Sequence, residues 1–156
     1  MKIRLLAVGT RMPGWVREGY QEYARRMPRE CALELVEIAP GRRGRSTPAA
    51  RAVAEEGGRM LAALGRGDRV IALDVQGQGW STGELAGQLR GWLGGGCDVS
   101  LLVGGPDGLD PACLERAAQR WSLSPLTLPH PLVRVVLAEQ LYRAWTLVSG
   151  HPYHRA

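Results

Sequence analysis

Val99-Ser100-Leu101-Leu102-Val103-Gly104-Gly105-Pro106-Asp107-Gly108-Leu109 is the stretch on which the fold turns. Five apolar or β-prone residues that end at two glycines predict a strand buried on both faces, as in a parallel sheet. Paired glycines let a backbone come close to something else, and a ligand is the expected neighbour. The next informative stretch is Trp121-Ser122-Leu123-Ser124-Pro125-Leu126-Thr127-Leu128-Pro129-His130. With Pro125, Pro129 and Pro131 it can be neither a helix interior nor a central strand. Its other side chains are too apolar for an ordinary surface loop. An irregular apolar loop has amides and carbonyls that need partners, and these groups are expected to read a ligand, such as the edge of a base.

The chain has 156 residues, enough for one domain with a real core, so residues 1–156 are taken as a single domain. Its 45% hydrophobic and 22% charged residues fit a globular chain. No window approaches a membrane span, and the run at residues 3–8 is interrupted by Arg4, so no signal peptide and a cytoplasmic location are expected. Cys31, Cys97 and Cys113 are scattered and never form a C-x-x-C pair. Buried, reduced thiols are therefore expected, with neither a disulfide framework nor a metal site. The net charge is +5, and Lys2 is the single lysine beside many arginines. Guanidinium groups grip phosphate and stack on bases, which suits a nucleic-acid partner, although genomic base composition explains an arginine bias equally well.

Strand and helix signals alternate along the chain. Strands are expected at residues 2–8, 33–38, 69–75 and 99–103. Helices are expected from Pro13 to near Met27, over 49–64, from a Ser81/Glu84 capping box to about Leu93, from an Asp110 cap to about Arg120, and over 131–148. Asp74 falls near the end of the third strand, the edge at which open α/β sheets bind ligands. Residues 76–80 read as a loop, and its Gly77 and Gly79 lack the third glycine of a dinucleotide fingerprint. The arginine-rich segment 40–48 is either a solvated loop or a mobile basic arm for RNA phosphates. The last helix is apolar nearly all round, so a second subunit is expected to cover one side, with Arg134, Glu139, Gln140 and Arg143 at that seam or at the site it encloses. Two histidines, a tyrosine and an arginine in the tail combine a titratable group, a stacking ring and a phosphate clamp.

This alternation predicts an α/β parallel sheet of about five strands with helices on both faces. Nothing in it predicts a knot. The segments Ala7-Val8-Gly9-Thr10, Leu102-Val103-Gly104-Gly105-Pro106, Leu126-Thr127-Leu128-Pro129-His130-Pro131-Leu132-Val133-Arg134, Glu139-Gln140-Leu141-Tyr142-Arg143-Ala144-Trp145 and His151-Pro152-Tyr153-His154-Arg155 resemble the SPOUT (α/β-knot) methyltransferases. Within that superfamily they are similar to the enzymes that methylate N3 of a pseudouridine in large-subunit ribosomal RNA. The resemblance runs from Met1 to the C-terminus. It implies a C-terminal trefoil knot, a homodimer, and large-subunit ribosomal RNA within the ribosome as partner. It further implies S-adenosylmethionine held by Leu73, Gly104, Gly105, Leu123, Ser124, Pro125, Leu126, Thr127 and Leu128, with a tail that completes the site across the dimer.

Methylating an imide nitrogen requires its proton to leave. The tail's composition and the resemblance together make His154 the candidate base, Arg155 the group that holds a phosphate or the developing anion, and Tyr153 the stacking ring. His130, between two prolines, either orients substrate or caps the last helix. Arg17, Arg25, Arg26, Arg42, Arg43 and Arg45 are candidates for positioning an RNA backbone. Two rival readings remain at this level: a flavodoxin-like nucleotide binder with another reaction, and a non-catalytic ribosome-associated module.

Overall fold

The computed structural model describes residues 1–155, with side chains through Tyr153. Five strands, β1 (Lys2–Val8), β2 (Ala32–Ile38), β3 (Arg69–Gly79), β4 (Val99–Val103) and β5 (Gln119–Ser122), form one sheet in the order β2-β1-β4-β3-β5. Every pairing is parallel. Five helices intervene: α1 (Gly14–Ala24), α2 (Ala49–Ala62), α3 (Thr82–Gly95), α4 (Pro111–Arg116) and α5 (His130–Ser149).

β4 is buried at all five residues, as its composition requires for a strand in the middle of the sheet. Alternate side chains along β1 divide the core. Ile3, Leu5 and Ala7 join the larger cluster with Tyr20 of α1, Leu89 of α3 and Leu137 of α5. Leu6 and Val8 join the smaller one with Met60 of α2 and Cys113 of α4. The helices thus cover both faces. The Ser81/Glu84 capping box and the Asp110 cap form as the sequence predicts.

Several expectations are corrected. β3 continues to Gly79 through residues read as a loop, with a register shift against β5 between Leu73 and Gln78. The helix after Asp110 stops at Arg116, and residues 119–122 form the edge strand β5, which the loop reading of Trp121 and Ser122 missed. Four residues with one β-branched or aromatic member carry too little pattern to mark a strand. Cys31 and Cys113 are buried, but Cys97 is only half-buried.

α5 finds much of its cover within its own chain, packed against α1 and α3 and sharing the larger core cluster with residues of β1 and β4. Thr82 of α3 hydrogen-bonds Gln140 of α5 at 2.8 Å. Leu132, Val135, Val136, Trp145, Leu147 and Val148 stay half-buried. Arg134, expected at a seam or at the site it encloses, finds its partners within its own chain. It is buried, and it donates to the Val8 and Gly9 carbonyls at 3.3 and 2.8 Å and to Glu37 at 2.7 Å. A guanidinium, with five donors in a fixed fork, can hold two carbonyls and a carboxylate together, and here it pins the start of α5 beneath the ends of β1 and β2.

Candidate active site

In a parallel sheet, ligands gather outside the carboxyl ends of the strands. Here β4 and β5 end, and β3 passes with residues 73–76, around a cleft of about 880 Å³. Leu73, Gly104, Gly105, Leu123, Ser124, Leu126, Thr127 and Leu128 all line it, so eight of the nine residues named for the cofactor come together. Pro125 does not line it and points to solvent. The cleft also takes in Asp74, Val75 and Gln76 from the shifted part of β3, together with Trp121 of β5 and Leu114 of α4. The sequence had flagged only Asp74, through its place near a strand end. Trp121 was legible only as part of an apolar run. It is buried, and its ring stacks on Trp80 with centroids 4.8 Å apart.

The glycine pair has a different cause from the one expected. A Cβ on Gly104 would lie 2.5 Å from the Gly108 carbonyl carbon, and one on Gly105 would lie 3.0 Å from Val8 Cγ1. The chain is therefore glycine here to close on itself. The Gly108 N–H donates to the Gly105 carbonyl at 3.1 Å. The loop at residues 123–128 is the opposite. Among the described residues its main chain makes two hydrogen bonds: Leu126 N–H donates to Ser124 Oγ at 3.0 Å, and the Ser124 carbonyl accepts from Ser122 Oγ at 3.0 Å. Leu126 is 71% exposed, unusual for a large apolar side chain. Apolar walls with bared amides and carbonyls, in a volume inside the range of roughly 300–1,000 Å³ for small-molecule sites, suit an adenosine-sized ligand read by its polar edge.

The tail lies elsewhere. Tyr153 donates to Glu139 Oε2 at 2.7 Å, Arg143 holds the same carboxylate at 2.8 Å, and the Arg143 guanidinium sits 5.0 Å from the Tyr153 ring centre. Burial would push the Glu139 carboxyl up, but the hydrogen bonds from Arg143 and Tyr153 hold it below the usual range. Burial and that same hydrogen bond push the Tyr153 phenol up to about 12. His130, which lines the cleft, and Glu139 are nine residues apart on α5, or roughly 14 Å along its axis. One chain therefore does not bring its own Tyr153 to its own cleft. The side chains of His154 and Arg155 lie outside the described residues.

The arginines divide. Arg43 is no mobile arm: it donates to buried Glu56 at 2.7 Å and to Asp107 at 2.9 Å, tying the 40–48 loop to α2 and to the turn after β4. Arg25 and Arg26 pair with Glu22. Arg17, Arg42 and Arg45 are exposed and make no ion pair among the described residues. No His, Cys, Asp and Glu group among those residues could hold a metal, and no helix is long and apolar enough to cross a membrane.

The family model described as "Predicted SPOUT methyltransferase" matches residues 1–154. The chain belongs to the SPOUT methyltransferase family. It is 63% identical, over 99% of its length and 100% of the relative's, to the ribosomal RNA large subunit methyltransferase H of Methylococcus capsulatus. It is 64% identical, over the full length of both chains, to the protein of the same name from Alkalilimnicola ehrlichii. A probable methylase family protein from Haemophilus influenzae Rd KW20 shares the fold at a TM-score of 0.53, with 11% identity over 97% of this chain and 69% of that one.

Proposed function

We propose that this SPOUT methyltransferase uses S-adenosylmethionine to methylate N3 of a pseudouridine in large-subunit ribosomal RNA, on the assembled ribosome in the cytoplasm, as a homodimer with a knotted C-terminal third. The rRNA assignment follows the names of its full-length relatives. The observation that carries the cofactor is the loop at residues 123–128, whose main chain has so few partners of its own beside a self-closed glycine turn. Leu123, Ser124, Leu126, Thr127 and Leu128 would hold the adenine edge, with Leu73, Gly104 and Gly105 against the rest of the molecule; Pro125 would only shape the bend.

S-adenosylmethionine supplies a methyl carbon on a positive sulfur, which keeps the C–S bonding pair as a neutral thioether when the new N3–C bond forms. What remains for the protein is to position the base, exclude water and accept the N3 proton. His154 is the candidate acceptor, Arg155 the candidate stabiliser of the imide charge, and Tyr153 the ring that meets the base. The homodimer has a geometric argument of its own, because Tyr153 is bound near the far end of α5 from its own cleft and serves a site only in a second copy. The half-buried apolar residues of α5 offer a surface for that copy.

Ribosomes lacking the modification, incubated with the protein and labelled S-adenosylmethionine, would gain one labelled pseudouridine by mass analysis of their rRNA. Absence of label would reject the activity. Replacing His154 with Ala should abolish transfer at saturating substrate while leaving cofactor affinity intact; undiminished transfer removes the base assignment.

A further inference from the structure

A second cavity, of about 400 Å³, opens beside the cofactor cleft on the same edge of the sheet. It is bounded by Gly9, Thr10, Arg11 and Met12 after β1, by Pro40 and Arg43 after β2, and by Pro106 and His130. Pro106 and His130 line both spaces, so the two adjoin just beyond the end of the central strand β4. We propose that this cavity is the socket for the pyrimidine that receives the methyl group, with its N3 turned toward the adjoining cofactor cleft, His130 between the two spaces holding one carbonyl of the base, and Arg11 at the rim holding its 5′-phosphate.

Three observations support it, and the proposal rests on the methyltransferase reading above. First, the His130 Nδ1 atom is buried with no hydrogen-bond partner among the described residues. It is one of six such side-chain atoms among the described residues and the one whose residue lines this cavity, where an incoming ligand could supply the missing partner. Burial first, and then the charge of Arg134, lower the imidazole's affinity for a proton, which favours the neutral ring, and Nδ1 then carries a single hydrogen bond, as a donor to a carbonyl of the base when the proton sits on it.

Second, the charge pattern fits a neutral ring better than a bare anion. Arg43 is already matched by Glu56 and Asp107, while Val8, Met12, Pro40 and Pro106 give apolar walls. Of the two arginines that line the cavity, Arg11 is the one that is exposed and without an ion pair among the described residues. Third, the walls are preorganised. Gly9 has φ +121°, and its carbonyl is held by Arg134 at 2.8 Å. A Cβ at Gly9 would sit 2.7 Å from Met12 Cε and 3.7 Å from His130 Cε1, so the turn packs directly against the imidazole.

Uridine 5′-monophosphate titrated into isotope-labelled full-length protein should shift the Gly9, Thr10 and Arg11 amides, whereas inorganic phosphate at equal concentration should not. Equal shifts with phosphate would mean an anion site only, and no shift with either would mean no socket; both overturn the proposal. In ribosome methylation, Thr10→Val and Arg11→Ala should each raise KM about tenfold, the loss of one good hydrogen bond, with cofactor affinity unchanged. His130→Asn, which keeps a hydrogen-bonding edge, should retain more activity than His130→Ala. If wild-type protein methylates ribosomes while the Thr10 and Arg11 variants keep the same KM, the socket is wrong and the activity stands. If wild-type protein neither binds S-adenosylmethionine nor methylates, the activity is wrong and the nucleotide titration alone judges the cavity.

Discussion

The turn at residues 104–108 and the loop at residues 123–128 line the same cleft and are built in opposite ways. The first satisfies itself: Gly105 and Gly108 pair, Asp107 is held by Arg43, and there is no room at Gly104 for even a methyl group. The second keeps its main chain open and an apolar side chain in solvent. On the function proposed above, one wall is fixed before a ligand arrives and the other would gain its partners from the ligand. Rigidity on one side sets position, and unsatisfied groups on the other give recognition.

The sharpest way to break the contrast is to disturb the closed wall. Gly104→Ala places a carbon against the Gly108 backbone, so the turn must shift. Calorimetric titration should show cofactor affinity falling about a hundredfold or more, and denaturation should show a loss of about 1–3 kcal/mol from overpacking. Next comes Arg134→Met, which removes the guanidinium anchoring the helix that follows the open loop and leaves the Val8 and Gly9 carbonyls and Glu37 without it. A cost of about 3 kcal/mol is expected from charge-assisted hydrogen bonds, read as a lower urea midpoint at constant slope.

Leu126→Ser tests the open wall from the other side. An exposed leucine contributes little to folding, so stability should change by less than about 0.5 kcal/mol. Cofactor affinity should nevertheless fall about tenfold, reflecting the apolar area a ligand would cover. Unchanged affinity would mean the loop is merely exposed.

The smallest effect is at Tyr153→Phe, away from both walls, with a cost of about 1 kcal/mol for its hydrogen bond to Glu139. Glu139 is held below its ordinary value of 4.5, so its contribution is present above that pH and is lost as the pH falls through the folded value. The difference between wild type and Tyr153→Phe in thermal unfolding should therefore shrink below about pH 4.5.

Much of this was legible in the residues. β4 announced itself through an uninterrupted apolar run, and the caps at Ser81 and Asp110 through local chemistry that needs no tertiary context. The lining of the cleft was legible at the Gly104–Gly105 pair and the proline-bounded loop, whose backbone limits are intrinsic, although the cause of the glycine pair was not. β5 was not, because four residues hold too little periodicity and their strand character comes from pairing with β3. Nor were the roles of Arg43 and Arg134, since the partners that turn an apparent RNA contact or seam residue into an internal tie are Glu56, Asp107, Glu37 and two carbonyls brought together only by folding.

Amide hydrogen exchange with and without S-adenosylhomocysteine addresses the open wall directly. The predicted result is marked slowing at Leu123, Ser124, Thr127 and Leu128, with the already closed amide of Gly108 changing little. Exchange at residues 123–128 that stays as fast at saturating ligand as in its absence would contradict the account.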